Sequence, residues 1–205
     1  MILIPTLTGI LYALPGGIIA IIAHEYAKSV AAYTLGDKSI RGKGRLSPNP
    51  FKHMDALGFI FMTVFRFGWG NPVGINFFTF PNKRKATAVI FAVPFLTNII
   101  LGVVFMLATR FWVAGMDWSN QTHLHIFMIL RTAAHINIGH ALFNLLPIHP
   151  LSGTMLLNAL SPAAALKMAQ YEKILQLVLA FFILLGGAQA VFGNLSILFL
   201  EAFWL

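Results

Sequence analysis

The chain has 205 residues, of which 58% are hydrophobic and only 10% are charged, and its mean hydropathy is +0.79. Soluble domains carry roughly 25% charged residues, so this composition excludes an ordinary soluble domain and predicts one polytopic membrane domain over residues 1–205. There is no cysteine, which excludes disulfides and thiolate metal sites, and the net charge of +8 is expected to report membrane orientation and not nucleic-acid binding.

Four apolar segments are predicted to cross the membrane. They cover residues 4–35, 86–112, 123–146 and 174–200, and each can supply the ~20 helical residues that a span requires. Residues 56–67 are too short for a span, so we expect a re-entrant or interfacial hairpin there, with short strands continuing to Phe80. The predicted fold class is therefore all-α, with about four transmembrane helices and one re-entrant or β-hairpin segment.

Basic residues are distributed unevenly between the loops. With residues 59–67 re-entrant, one side collects ten lysines and arginines, whereas the opposite loop, residues 113–122, has none. The positive-inside rule predicts that the basic side is cytoplasmic and that both termini lie outside, in an integral protein of a bacterial or archaeal cell membrane. The ten residues are Lys38, Arg41, Lys43, Arg45, Lys52, Lys83, Arg84, Lys85, Lys167 and Lys173.

The first predicted span carries the sequence His24-Glu25-Tyr26-Ala27-Lys28. In a His-Glu-x-x-His motif, two imidazoles one turn apart share a helix face and bind zinc, while the glutamate acts as general base. Lys28 stands at the second histidine position, and an ammonium group has no lone pair for a metal. The motif therefore keeps its base, Glu25, and loses a ligand.

Several further blocks resemble the site-2 protease family of intramembrane zinc metalloproteases. The similar stretches are HEYAKSVAAYTLGD at residues 24–37, GRLSPNPFKHMDALG at 44–58, FGWGNPVGIN at 67–76 and NIGHALFNLLPIHPLSG at 137–153. Blocks in this order are far more specific than a lone His-Glu pair.

The resemblance implies three zinc ligands, which fall at His24, Lys28 and Ser152, with Glu25 as the general base. Only His24 keeps a ligand side chain, so we expect no cofactor at the inherited position. A relocated zinc site at His24, His140 and His149 is an alternative. For the last two histidines, the other interpretation is that His149 faces the cytoplasmic head groups and His140 hydrogen-bonds within the bundle.

Two roles are open for Lys28. Three residues after Glu25 on a helix, its ammonium can form an internal ion pair with that carboxylate. Alternatively, Lys28 could face Ser152 as the base of a serine nucleophile, although a nearby carboxylate favours the charged ammonium and opposes this. Asn137 and Asn144 match the distal helix of the family, where their amides would bind a substrate backbone or join helices.

The sequence thus predicts a site-2-protease-like pseudoprotease that binds or regulates a membrane-protein partner, with membrane lipid around it. Active proteolysis, with displaced zinc ligands or with serine-lysine chemistry, is the alternative. A subunit that retains only the fold is the default.

Overall fold

The computed structural model describes residues 6–202, and this part of the chain is mainly helical and contains no β-strand. Short 3-10 turns occur at Pro50–Lys52 and Phe77–Thr79, and a π-helical turn at Gln189–Gly193. The predicted all-α class is confirmed. The α-helices are α1 (Leu7–Leu35), α2 (Ser39–Gly42), α3 (Ala56–Phe65), α4 (Lys83–Ala114), α5 (Gln121–Phe143), α6 (Gly153–Leu160), α7 (Pro162–Ala169), α8 (Glu172–Leu184) and α9 (Asn194–Glu201).

Three of the described helices, α1, α4 and α5, are long and apolar enough to cross a membrane, and they pack against one another. Gly16 lies at the contact of α1 with α5, where a Cβ atom would come within 2.6 Å of the Ala133 Cα, so only glycine fits this approach. The fourth predicted span is a bent pair, because α8 and the segment Gln189–Glu201 meet at 61°. Gly186, at φ +81°, provides the bend.

The segment around α3 folds back on itself as a hairpin, and its re-entry into the membrane stays a prediction. Asp55 caps the start of α3 by accepting a hydrogen bond from the Gly58 N–H at 2.7 Å. The chain turns at Arg66 and returns, so that Gly70 forms an isolated antiparallel bridge with Met54. The expected short strands are absent from the described residues, since after Gly70 the chain is irregular up to the 3-10 turn at Phe77–Thr79. Only this one bridge pairs extended backbone there.

The two main basic loops lie at one end of the bundle. A buried cluster joins Ala31 and Ala32, near the end of α1, to Val73 of the returning loop and Ala86 in the first turn of α4. Lys43 donates a hydrogen bond to the Gly74 carbonyl in the same region. The predicted charge asymmetry is therefore present along the bundle, and the assignment of this end to the cytoplasm stays a prediction.

Asp37 fixes the returning loop to the end of α1. Its carboxylate accepts hydrogen bonds from the Asn76 N–H at 2.7 Å and from the Ser39 hydroxyl at 2.6 Å. Burial raises the pKa of Asp37, but these hydrogen bonds and the nearby Lys43 outweigh it, so the pKa lies below the usual carboxyl value. The loop that covers the middle of α1 is thus held by an ionised side chain.

Candidate functional site

Glu25 lies in a buried cluster of charges on α1. Lys28 donates a hydrogen bond to Glu25 Oε1 with a nitrogen to oxygen distance of 2.6 Å, and both side chains are at most 5% exposed. The predicted ion pair is therefore present. An unpaired carboxylate at this depth would cost several kcal/mol, which the ammonium offsets.

Arg45 is a second cation beside the same carboxylate. Its guanidinium lies 3.5 Å from Glu25 Oε2 and also donates to the carbonyls of Lys52 and Asn71. Burial lowers the pKa of Arg45 while Glu25 opposes that shift, and a guanidinium stays protonated at any physiological pH. Glu25 is thus enclosed by positive charge from two directions.

The returning loop covers Glu25 closely. At Gly70, a Cβ atom would overlap the Glu25 side chain and lie 2.8 Å from the His53 carbonyl oxygen. Only glycine lets the backbone pass at this distance. The loop therefore closes over the carboxylate and separates it from solvent.

His24 is fully engaged by neighbouring side chains. Its Nε2 is 2.7 Å from the Ser152 hydroxyl, and its Nδ1 is 3.1 Å from Asn98 Oδ1. Because an amide oxygen can only accept, Nδ1 carries the proton, and the hydroxyl of Ser152 then donates to Nε2. Both ring nitrogens are occupied by groups from this chain.

Ser152 reaches His24 as the family resemblance implies. The two residues are 128 positions apart, and the Ser152 N–H donates to Asn144 Oδ1 at 3.2 Å, which fixes the turn. The hydroxyl pairs with His24, whereas the Lys28 ammonium pairs with Glu25. Among the described residues, no hydrogen bond joins Lys28 to Ser152.

The three histidines of the alternative zinc site are not brought together. The rings of His24 and His140 lie edge to face with centroids 5.1 Å apart, but His149 is exposed and lies 3.9 Å from Glu172. Over residues 6–202, no group of three or more His, Asp or Glu side chains is arranged to hold a metal ion.

The two asparagines predicted to bind substrate make internal hydrogen bonds. Asn137 donates to the Ala133 carbonyl and accepts from Asn98, and Asn144 donates to the His140 carbonyl. Both are buried. These contacts join α4, α5 and the Ser152 turn, and substrate binding by the two amides stays a prediction.

Two partners of the site were not assigned from the sequence. The sequence pattern indicates Arg45 only as a loop charge, although it lies in the block that begins at Gly44, and it gives no role to Asn98, a polar residue within an apolar span. A polar amide in a span costs free energy unless it is bonded, and this signal could have indicated Asn98 as a site residue.

The structure has the architecture that the resemblance implies. It is a polytopic helical bundle in which α1 carries a buried His-Glu pair, and the turn at Ser152 contacts that pair. The chain is 32% identical over 157 residues to the "Putative zinc metalloprotease YwhC" of Bacillus subtilis (strain 168), which covers 76% of this chain and 72% of that relative. The chain therefore belongs to this site-2-protease-like family of membrane metalloproteases. No family model matches the chain. No solved structure matches it either.

Proposed function

We propose that this chain is a pseudoprotease, a site-2-protease-like protein that binds a membrane-protein partner without hydrolysing it. The observation that carries the proposal is the 2.6 Å ion pair between Lys28 and Glu25. A general base must be free to take a proton from water, and here the carboxylate is bound by an ammonium and faces a guanidinium.

The donor set does not fit the zinc ion that the family implies. A hydrolytic zinc site needs three protein ligands and an open position for water. His24 supplies one imidazole whose ring nitrogens already bond Ser152 and Asn98, and Lys28 supplies a positive charge where the cation would lie.

A lateral groove supports the partner-binding half of the proposal. It has a volume of about 650 Å³ and lies between the α3 region and α8. Phe61, Trp69 and Leu177 make it apolar, and Asp55 and Lys173 add charges. A groove of this size and character suits an apolar helix or an extended segment from the membrane, as helix-in-groove recognition requires.

The proposal predicts that the purified chain, in detergent with added zinc, leaves single-span membrane peptides intact. Product formation would be measured by mass spectrometry on a panel of peptides. The matched control is Glu25→Gln, which removes the inherited base and should give the same background. Cleavage by the unmodified chain that is lost in Glu25→Gln would contradict the proposal.

A metal-free serine hydrolase is the second candidate, and one observation favours it over the serine-lysine form. Ser152, His24 and Asn98 follow the order of nucleophile, base and orienting group, with separations of 2.7 and 3.1 Å. Ser152 is only 2% exposed, so a substrate could reach it only if the surrounding structure opened.

A fluorophosphonate probe separates the two candidates, because it labels activated serines covalently. Under the pseudoprotease proposal the chain is not labelled. Labelling that disappears in Ser152→Ala but persists in Ser29→Ala, a control at another buried serine, would replace the proposal with serine hydrolysis.

A further inference from the structure

A second polar cavity lies outside the Glu25 site, between the turn after α3 and helices α5 and α9. Its volume is about 240 Å³, and its polar lining consists of Arg66, Arg131, Thr132, His135, Gln189 and Ser196. Pockets for drug-sized ligands measure roughly 300–1,000 Å³, so this cavity suits a small group or one head group. No acidic residue lines it.

The two arginines have no counter-ion in residues 6–202. The ion pairs of this part of the chain involve Glu25 and Glu172, and neither includes Arg66 or Arg131. Glu201 lines a neighbouring cavity of about 270 Å³ together with Arg131 and His135, but it lies beyond ion-pair distance. Arg66 is half-buried, while Arg131 is exposed and its guanidinium lies 5.9 Å from the centroid of the Phe127 ring. A cation in a membrane domain is expensive without a counter-ion, so an anion is expected beside the two arginines.

The cavity lies toward the end of the bundle where α1 begins. A guanidinium nitrogen of Arg66 would be 3.8 Å from a Cβ atom at Gly9, in the first turn of α1. At 1.5 Å per residue the 29 residues of α1 exceed the ~30 Å hydrocarbon core, which places this turn near the lipid head groups.

Arg131 can reach the same level from α5. Tyr12 bonds His125 at 2.6 Å, so the first turns of α5 lie beside those of α1. Side chains on a helix point toward its N-terminus, which directs Arg131 toward this end. This end is opposite to the end with the basic loops, and the two cations of the cavity are Arg66 in the turn after α3 and Arg131 within α5.

The backbone around the cavity is shaped to present these groups. Arg66 is the single non-glycine residue of the described chain with a positive φ, at 66°, where glycine is the usual choice. Gln189 and Gly193 bound a π-helical turn, and such turns occur frequently at functional sites. Both irregularities face the same cavity.

We propose that this cavity is a binding site for the phosphate group of an anionic phospholipid. The planar guanidinium groups of Arg66 and Arg131 can each donate two parallel hydrogen bonds to phosphate oxygens. His135 and Gln189 complete the polar lining, while Met128 and Ile197 provide an apolar margin for the acyl chains. The site is independent of the chemistry at Glu25.

Native mass spectrometry of the purified full chain tests this, with phosphatidylglycerol, phosphatidylcholine, diacylglycerol or inorganic phosphate added. We expect one phosphatidylglycerol per chain, bound more tightly than phosphatidylcholine. Diacylglycerol, which lacks the phosphate, should not compete. Arg66→Gln and Arg131→Gln should each weaken retention about tenfold, because each removes charge-assisted hydrogen bonds to the phosphate.

Arg110→Gln is the matched control, an exposed arginine of α4 that does not line the cavity, and it should change nothing. An equal loss in Arg110→Gln would show nonspecific attraction and overturn the proposal. Displacement of the lipid by millimolar inorganic phosphate would assign the site to a free anion and overturn the lipid assignment. The competition between phosphatidylglycerol and diacylglycerol uses the unmodified chain, so it decides the matter even if a variant does not fold.

Discussion

Replacing Lys28 by methionine should lower the free energy of unfolding by about 3 kcal/mol. The change leaves the buried Glu25 carboxylate with Arg45 alone, at 3.5 Å and without a hydrogen bond to it. Removing one partner of a buried ion pair costs roughly 3–5 kcal/mol, and the remaining guanidinium places the effect at the lower end. Tryptophan fluorescence during unfolding with sodium dodecyl sulfate would measure it.

The double variant Glu25→Gln with Lys28→Met shows whether the lower stability of Lys28→Met comes from the unpaired Glu25 charge. It removes both charges, so it should recover much of the loss, and the coupling between the two positions should exceed about 1 kcal/mol. Lys85→Met is the control, since Lys85 is exposed and its ammonium makes no described contact. A double variant no more stable than Lys28→Met alone would show that the lysine contributes packing and not charge.

The second large effect is expected when the inherited ligands are restored together. Lys28→His with Ser152→Asp should raise the zinc content from well below one to about one per chain, because three ligands then converge next to Glu25. The structure favours this outcome, since the side chain at position 152 already touches His24 Nε2 and Asn144 holds the backbone there. Elemental analysis after gel filtration would measure the metal.

Two further variants of the restored chain distinguish the role of His24 as zinc ligand from the role of Glu25 as general base. Adding His24→Ala should abolish zinc binding, whereas adding Glu25→Gln should leave zinc bound and remove any hydrolysis. If the restored chain binds no more zinc than the unmodified one, the backbone no longer has the ligand geometry of the family.

The parts of the fold that depend on local sequence were predicted. The apolar segments indicated the spans, the short segment around residue 60 indicated a re-entrant hairpin, and the spacing of Glu25 and Lys28 indicated their ion pair. The spans and the hairpin follow from the length of the apolar segments, and the ion pair follows because residues three apart are neighbours on a helix surface.

The long-range contacts were only partly predictable. The family resemblance predicted that Ser152 lies at the site. Whether its hydroxyl bonds His24 or Lys28 depends on the position of a turn 128 residues away, which the sequence does not fix. Arg45 reaches Glu25 from a loop, and no periodic pattern fixes a loop side chain. The bend in the last span had a local signal, Gly186-Gly187, yet the apolar run around it concealed the break.

The zinc content of the unmodified chain, purified from zinc-supplemented cells without chelators, most directly tests whether the ion pair has replaced the metal. We expect no more zinc than in the His24→Ala variant. One zinc per chain that is lost in His24→Ala would contradict this and show that Glu25 and His24 still serve a metal centre.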